Sequence, residues 1–217
     1  AVAMARVAPE DPYVRLATAE EVASTLPEID LYDDAVPAVE HLTETATAVE
    51  AAALSNDGIT NSEGGSASHG EAHMMIATSN GFSANYKRSS QGFSAVVIAE
   101  KDGAMERDYD YSAAVYGADL DAPEDVGNSA AKRTLSRLGP QKPPTGQFPV
   151  IYDQRVSGSI VGTLASAING AAIARGTSFL KDSMGEQVTS AGLTFIDDPL
   201  RPRGMASRLF DGEGLPV

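Results

Sequence analysis

The tripeptide Lys101-Asp-Gly103 constrains this chain more than any other feature. It joins two segments of strand-like residues by a connection so short that they must run antiparallel, because a parallel pair needs a crossover of about a dozen residues or more. On either side, Phe93–Glu100 and Ala104–Tyr116 are rich in alternating or β-favouring residues. In Arg107-Asp-Tyr-Asp-Tyr111 the tyrosines and charges alternate, as on a strand with one wet face. Ile59, His73–Thr78 and Gly81–Tyr86 have the same character. Glu63-Gly-Gly-Ser66, Ser79-Asn-Gly81 and Ser89-Ser-Gln-Gly92 punctuate the series. Residues 59–120 are therefore expected to form an antiparallel meander of short strands, not a βαβ series.

Helical periodicity brackets that stretch. In Ala35–Leu54, Val36, Val39, Leu42, Ala46, Val49 and Ala53 recur at three- and four-residue steps, and Asn56-Asp57-Gly58 ends the pattern. A second helix is expected from Pro123. Glu124 and Asp125 suit the positive end of its dipole, Arg133 and Arg137 lie towards the negative end, and Gly139-Pro140 stops it. Ala1–Ala8 reads as the end of a helix stopped by Pro9 and Pro12, as if the chain were a piece of something longer. Tyr13–Asp34 reads as an acidic linker with a capping box, Thr18 to Glu21. Beyond a Pro/Gly-rich boundary at 141–147, Phe148–Asp153 is expected as a buried strand, Val156–Arg175 as a small-residue helix and Leu193–Asp198 as a short strand. The expected fold is α+β: an antiparallel β meander with amphipathic helices on one face, followed by the start of a second mixed α/β domain. The expected divisions are 1–34, the end of an N-terminal domain with its linker; 35–140, a middle domain; and 141–217, an incomplete C-terminal domain. Apolar strands at Phe148–Tyr152 and Leu193–Ile196 would leave open edges, which predicts association.

Composition narrows the chemistry. The 217 residues contain no cysteine, which excludes disulfides, thiolate metal sites and cysteine nucleophiles. A net charge of −14 repels phosphate backbones, so no direct nucleic-acid contact is expected. Ten units of that negative excess fall within residues 1–60, most simply on a solvated linker and helix face. No apolar run approaches the roughly 18 residues of a membrane span, and a cytoplasmic location is expected.

The three histidines are His41, His69 and His73. His41 belongs to the first amphipathic helix. His69-Gly-Glu-Ala-His73 has ligand-type residues at even spacing, but on a strand the outer pair would stand about 13 Å apart. With zinc bonds of about 2.0–2.2 Å, one ion cannot take all three. No Gly-x-Ser-x-Gly elbow, phosphate-binding loop or dinucleotide fingerprint occurs. Asp33-Asp34 and Asp197-Asp198 suit turn capping better than a cation site.

Several stretches, taken in order, resemble the PmbA (TldE) branch of the TldD/PmbA family, once called modulators of DNA gyrase. They are Thr60-Asn-Ser-Glu-Gly64, Val97-Ile-Ala-Glu100, Met105-Glu-Arg-Asp-Tyr109, Ala131-Lys-Arg-Thr-Leu-Ser-Arg-Leu138 and Pro149-Val-Ile151, then Ser178-Phe-Leu-Lys-Asp-Ser-Met-Gly185, Gly204-Met-Ala-Ser207 and Phe210-Asp-Gly-Glu-Gly214. The resemblance implies a two-subunit metallopeptidase. In the TldD branch a small-residue helix carries His-Glu-x-x-x-His, in which the histidines bind zinc and the glutamate is the general base. Counting back from Arg175-Gly176 and Gly185, that motif would fall on Val161-Gly-Thr-Leu-Ala-Ser166. Val161 and Ser166 stand at the ligand positions and Gly162 at the base. The resemblance therefore implies no catalytic residue and no metal in this chain. Zinc is expected in a TldD-like partner, and the chain is expected to pair with that partner or with a second copy of itself to enclose peptide substrate. Peptide contacts are expected around Arg175, Gly176, Thr177, Ser178 and Phe179. A non-enzymatic, gyrase-modulator-like regulator is the alternative function.

Overall fold

The structure is a computed structural model that describes residues 2–9 and 15–217. Pro12, expected to help stop the first helix, and Tyr13, expected to open the linker, lie outside the described residues. The chain divides into two compact units, residues 1–141 with 198–217, and residues 142–197.

The first unit is α+β. Helix α1 spans Val2–Val7 and α2 spans Val39–Leu54. Three antiparallel strands follow, β1 (Ile59–Ala77), β2 (Ser83–Lys101) and β3 (Ala104–Ala114), in the order β1-β2-β3. Helix α3 then covers Pro123–Ser136. Asp102 and Gly103 both have positive φ, 54° and 77°, the left-handed pair that a two-residue hairpin with native twist requires. The odd-numbered side chains of β2 from Ser89 to Ala99 are buried. Phe93, Ala95 and Val97 pack with Val49 and Ala53 of α2 and with Val126 and Ala130 of α3. At Gly127 a Cβ would stand 2.4 Å from the carbonyl oxygen of Val49, so the two helices touch through their backbones.

The strands are longer than expected. Glu63–Ser66 and Ser89–Gly92 lie inside continuous strands and do not break them. Gly65 is small because the carbonyl oxygen of Ala46 in α2 would lie 2.1 Å from any Cβ there. Gly92 is small because the Ser112 carbonyl oxygen would lie at 3.0 Å. These glycines mark close backbone approach rather than turns. The α3 side of β3 is acidic. Arg133 meets Asp110 at 3.2 Å, and Arg137 meets Asp108 at 3.3 Å and Glu106 at 3.5 Å.

Two irregular segments finish this unit. Residues 29–35 lie along β2 beyond the end of β3, where Ser89 N–H donates to the Leu31 carbonyl at 3.0 Å. The last twenty residues return to the β1–β2 hairpin, where the Phe210 ring meets Phe82 and Tyr86 edge to face at 5.2 and 5.4 Å. Arg203 stacks over Tyr116 at 3.9 Å and pairs with Asp119 at 3.2 Å. Thr18 and Glu21 form half of the expected capping box, with Thr18 N–H donating to the Glu21 carboxylate at 2.8 Å, but only a turn follows.

The second unit contains α4 (Gln154–Ala167) and α5 (Gly170–Ala174). The helix expected over Val156–Arg175 is thus broken. Asn169 caps α5 by accepting from the N–H groups of Ala171 and Ala172 at 3.0 and 3.3 Å, which ends α4 two residues earlier. Asp153 caps α4, accepting from Arg155 N–H at 3.0 Å. Neither Phe148–Asp153 nor Leu193–Asp198 is a strand. An apolar run becomes a strand only beside another, and among the described residues neither segment has a paired neighbour. Ile151 is 96% exposed and Ile196 82%.

Candidate functional site

Of the residues singled out from the sequence, Gly162, Ser166, Thr177, Ser178 and Phe179 line one concavity within the second unit, an open hollow of about 540 Å³, and Val161, Arg175 and Gly176 do not. Gly162, Thr163 and Ser166 of α4 form one wall, Thr177, Ser178 and Phe179 the other, and Ala167 and Ala172 lie between them. The break at Asn169 creates this shape, because it turns the chain back so that residues 177–179 face the helix they follow. Ser178 holds the return: its hydroxyl donates to the Ala167 carbonyl at 2.5 Å and accepts from Leu180 N–H at 3.0 Å. Thr177 is fixed in the same way, its N–H and its hydroxyl both donating to the Ala172 carbonyl, at 3.1 and 3.2 Å. Gly176 takes φ +69°, the left-handed conformation that closes a helix and lets the chain reverse. Arg175 caps α5 and is exposed, and Phe179 is 74% exposed at the rim. Val161 is half exposed and outside the lining.

The chemistry of this lining is limited. Ser166 donates its hydroxyl to the Gly162 carbonyl at 2.8 Å, and Thr163 donates to Ser159 at 2.9 Å. These hydroxyls are spent on helix carbonyls, and no acid or base in the lining could activate one as a nucleophile. A zinc ion does not fit positions 161, 162 and 166. Val161 and Gly162 offer no ligand atom, and Ser166 bonds within its own helix. Among the described residues no group of three or more His, Asp or Glu side chains could hold a metal ion. What the hollow offers a ligand is backbone close at hand over Gly162, apolar surface from Ala167, Ala172 and Phe179, and neutral hydroxyls.

The histidine strand sits elsewhere, in the first unit. His73 shares a hydrogen bond with Asn85 at 2.9 Å, and Glu71 accepts from the Tyr32 hydroxyl at 2.7 Å. His69 is half-buried, and its Nε2 is shielded from solvent with no hydrogen-bond partner. The nearby Asp33 is buried and accepts from Gly117 N–H at 2.9 Å, Ala35 N–H at 3.0 Å and the Gln91 amide at 3.1 Å. These backbone N–H groups, Gly117 first, lower the Asp33 carboxyl below its ordinary range. Asp33 therefore ties residues 33–35 to β2 and the turn at Gly117. The sequence had no signal for this role, because Gln91 and Gly117 reach Asp33 only through the fold. Asp197 and Asp198 are exposed, as is His41 on α2. Among the described residues no helix is long and apolar enough to cross a membrane.

Residues 32–138 match the family model for the PmbA/TldA metallopeptidase central domain, and residues 145–217 the model for its C-terminal domain. The chain is 38% identical over 216 residues to the protein named metalloprotease PmbA from Escherichia coli O157:H7, and 35% identical over 216 residues to the PmbA homolog of Haemophilus influenzae. In both cases 99% of this chain covers 48% of the relative, so the chain spans about half the length of the curated relatives it matches. Among solved structures, a candidate modulator of DNA gyrase from Bacteroides thetaiotaomicron superposes with a TM-score of 0.88 at 28% identity, over 100% of this chain and 50% of that one. TldE from Thermococcus kodakarensis shares the fold, with a TM-score of 0.72 at 19% identity over 99% of this chain and 48% of that one.

Proposed function

Because the chain belongs to the TldD/PmbA family, matching its middle and C-terminal parts, we propose that it is a PmbA/TldE-type subunit of a cytoplasmic peptidase complex, taking part in proteolysis of peptides or unfolded proteins without holding the metal. The observation that carries this reading is the concavity between α4 and residues 177–179. It lies where the resemblance puts the zinc helix, yet its walls are glycine, alanine, hydroxyl and phenyl surface. Zinc, held by a TldD-like partner, supplies the activated water in such a complex. This chain supplies a wall. Gly162, whose Cβ position is open, lets an extended peptide backbone come close to α4, and Phe179 offers apolar surface to its side chains. The hydroxyls of Thr177 and Ser178 are already committed to Ala172 and Ala167, so they shape the hollow and leave the bond to be cleaved untouched.

The test is to assay zinc content and peptide cleavage on this chain alone, on a partner bearing an intact His-Glu-x-x-x-His helix, and on their mixture. Cleavage is expected only in the mixture, with zinc assigned to the partner. A Cβ at Gly162 has no atom within 4 Å, so Gly162→Leu puts a side chain into the hollow without backbone strain at its root, and it should reduce cleavage by the mixture at least tenfold while zinc content is unchanged. Stoichiometric zinc and cleavage by this chain alone would overturn the reading.

A further inference from the structure

A second concavity, of about 330 Å³, lies in the first unit between the β1–β2 hairpin and the returning C-terminal segment. Its walls are apolar: Met74 and Ile76 of β1, Tyr86 of β2, and Phe210, which is 4% exposed. Two arginines, Arg88 and Arg208, also line it. Arg88 donates to the carbonyls of Ser207 and Met205 at 2.9 and 2.6 Å, which anchors it while leaving its positive charge without a carboxylate. Arg208 is exposed, and its side chain makes no hydrogen bond or ion pair with any described residue; only its backbone N–H is engaged, to Pro199. The one acid in the lining, Asp211, turns an oxygen to the N–H groups of Glu213 and Leu215 at 2.8 and 2.9 Å.

In a chain of net charge −14, Arg15, Arg107, Arg133, Arg137 and Arg203 of the first unit pair with Glu21, Glu63, Asp110, Asp108 and Asp119. Among its arginines that make no ion pair with a described residue, Arg88 and Arg208 line one apolar hollow together. A fork of guanidinium donors matches carboxylate and phosphate oxygens, and the apolar walls beside it favour a carboxylate carried on an apolar group over a strongly hydrated phosphate. The hollow is at the small end of the range for ligand sites. It has room for an apolar side chain and the carboxylate beside it. We infer that this concavity binds the α-carboxylate of an apolar residue, with the carboxylate on Arg208 and the side chain among Met74, Ile76 and Phe210. Such a group comes from a peptide C-terminus or from a free apolar amino acid. The site is separate from the α4 hollow and stands whether or not the peptidase reading holds.

The test is fluorescence anisotropy on the 217-residue protein with a labelled hexapeptide, Gly-Ser-Gly-Ser-Gly-Leu, as the free acid and as the C-terminal amide, at low and at 0.3 M salt. The free acid is expected to bind at least tenfold more tightly than the amide, and the difference should shrink in high salt. Arg208→Gln should weaken the free acid to the level of the amide, and replacing the terminal leucine by glycine should cost about another tenfold. Competition with N-acetyl-leucine and with free leucine then assigns the source: a peptide end if only the acetylated form displaces the probe, the amino acid if both do. Equal binding of acid and amide would overturn the proposal, as would an Arg208→Gln protein that binds like the original. Displacement by decanoate as effective as by the peptide would overturn it too. The acid-versus-amide comparison uses the unaltered protein, so it does not depend on any variant folding.

Discussion

Glu21 lies in a fork of donors. Both terminal nitrogens of Arg15 reach its carboxylate at 2.7 Å and the Thr18 N–H adds a third bond at 2.8 Å. The Arg15 hydrogen bond is the largest cause, and the carboxyl is held at about 2 against an ordinary 4.5. A depressed carboxylate stabilises the folded state above its unfolded value and loses that contribution as pH falls through the folded one. The contribution of Glu21 should therefore disappear between pH 4.5 and about 2. A carbon-13 titration of the Glu21 side chain should show its midpoint near 2, and Arg15→Gln should return the midpoint towards 4.5. Asp33 behaves with the same sign for a different reason, since its carboxyl is lowered first by backbone N–H groups. Thr18 and Glu21 are three residues apart and their bond is readable from spacing. Asp33 and Gly117 meet only through the fold, and single-chain patterns carry no trace of such pairs.

At the scale of elements, Gly127 is the contact most exposed to challenge. A methyl group there would press into the Val49 carbonyl at 2.4 Å and the Ala52 side chain at 2.8 Å. Helix propensity alone favours Ala over Gly by about 1 kcal/mol. Overpacking costs about 1–3 kcal/mol or more and acts on backbone atoms that cannot step aside. Gly127→Ala is expected to destabilise the protein despite its better propensity, measured as a lower urea midpoint. Features decided by local backbone preference were legible in the sequence, and features decided by tertiary neighbours were not. The Asp102-Gly103 turn and the start of α3 at Pro123 depend on local backbone preference, and they fall where local signals put them. Gly65 and Gly92 looked like punctuation because a glycine that admits a neighbouring backbone is indistinguishable, in sequence, from one that makes a turn. Phe148–Asp153 carried a strand's composition, but pairing is decided by neighbours, and a run of apolar residues says nothing about whether one exists. Of the hollow beside α4, the sequence pointed to Gly162, Ser166, Thr177, Ser178 and Phe179 but also to Val161, Arg175 and Gly176, which lie outside its lining, and its form, which depends on the helix break at Asn169, left no sequence signal.

At the scale of the whole molecule, the first unit is assembled from two stretches of chain, residues 1–141 and 198–217. Phe210 is the residue by which the second stretch is held, with its ring against Phe82 and Tyr86. Phe210→Ala is expected to cost about 3–5 kcal/mol, read from urea unfolding, and to loosen the segment carrying Arg203 and Arg208 before the sheet itself opens. Hydrogen exchange should show protection lost first at the N–H groups of Arg203, which bonds to Ile29, and Arg208, which bonds to Pro199. The division also sets an order of events during synthesis. Phe82 and Tyr86 leave the ribosome about 130 residues ahead of Phe210, an interval of roughly 6–26 s at the usual rate of translation. Throughout it the hairpin presents two bare aromatic rings, while the segment forming the second unit is made in between. A nascent chain of this kind waits with that hairpin uncovered, and the interval in which it is most open to chaperones, or to a neighbour's hairpin, is fixed by how far downstream Phe210 is encoded.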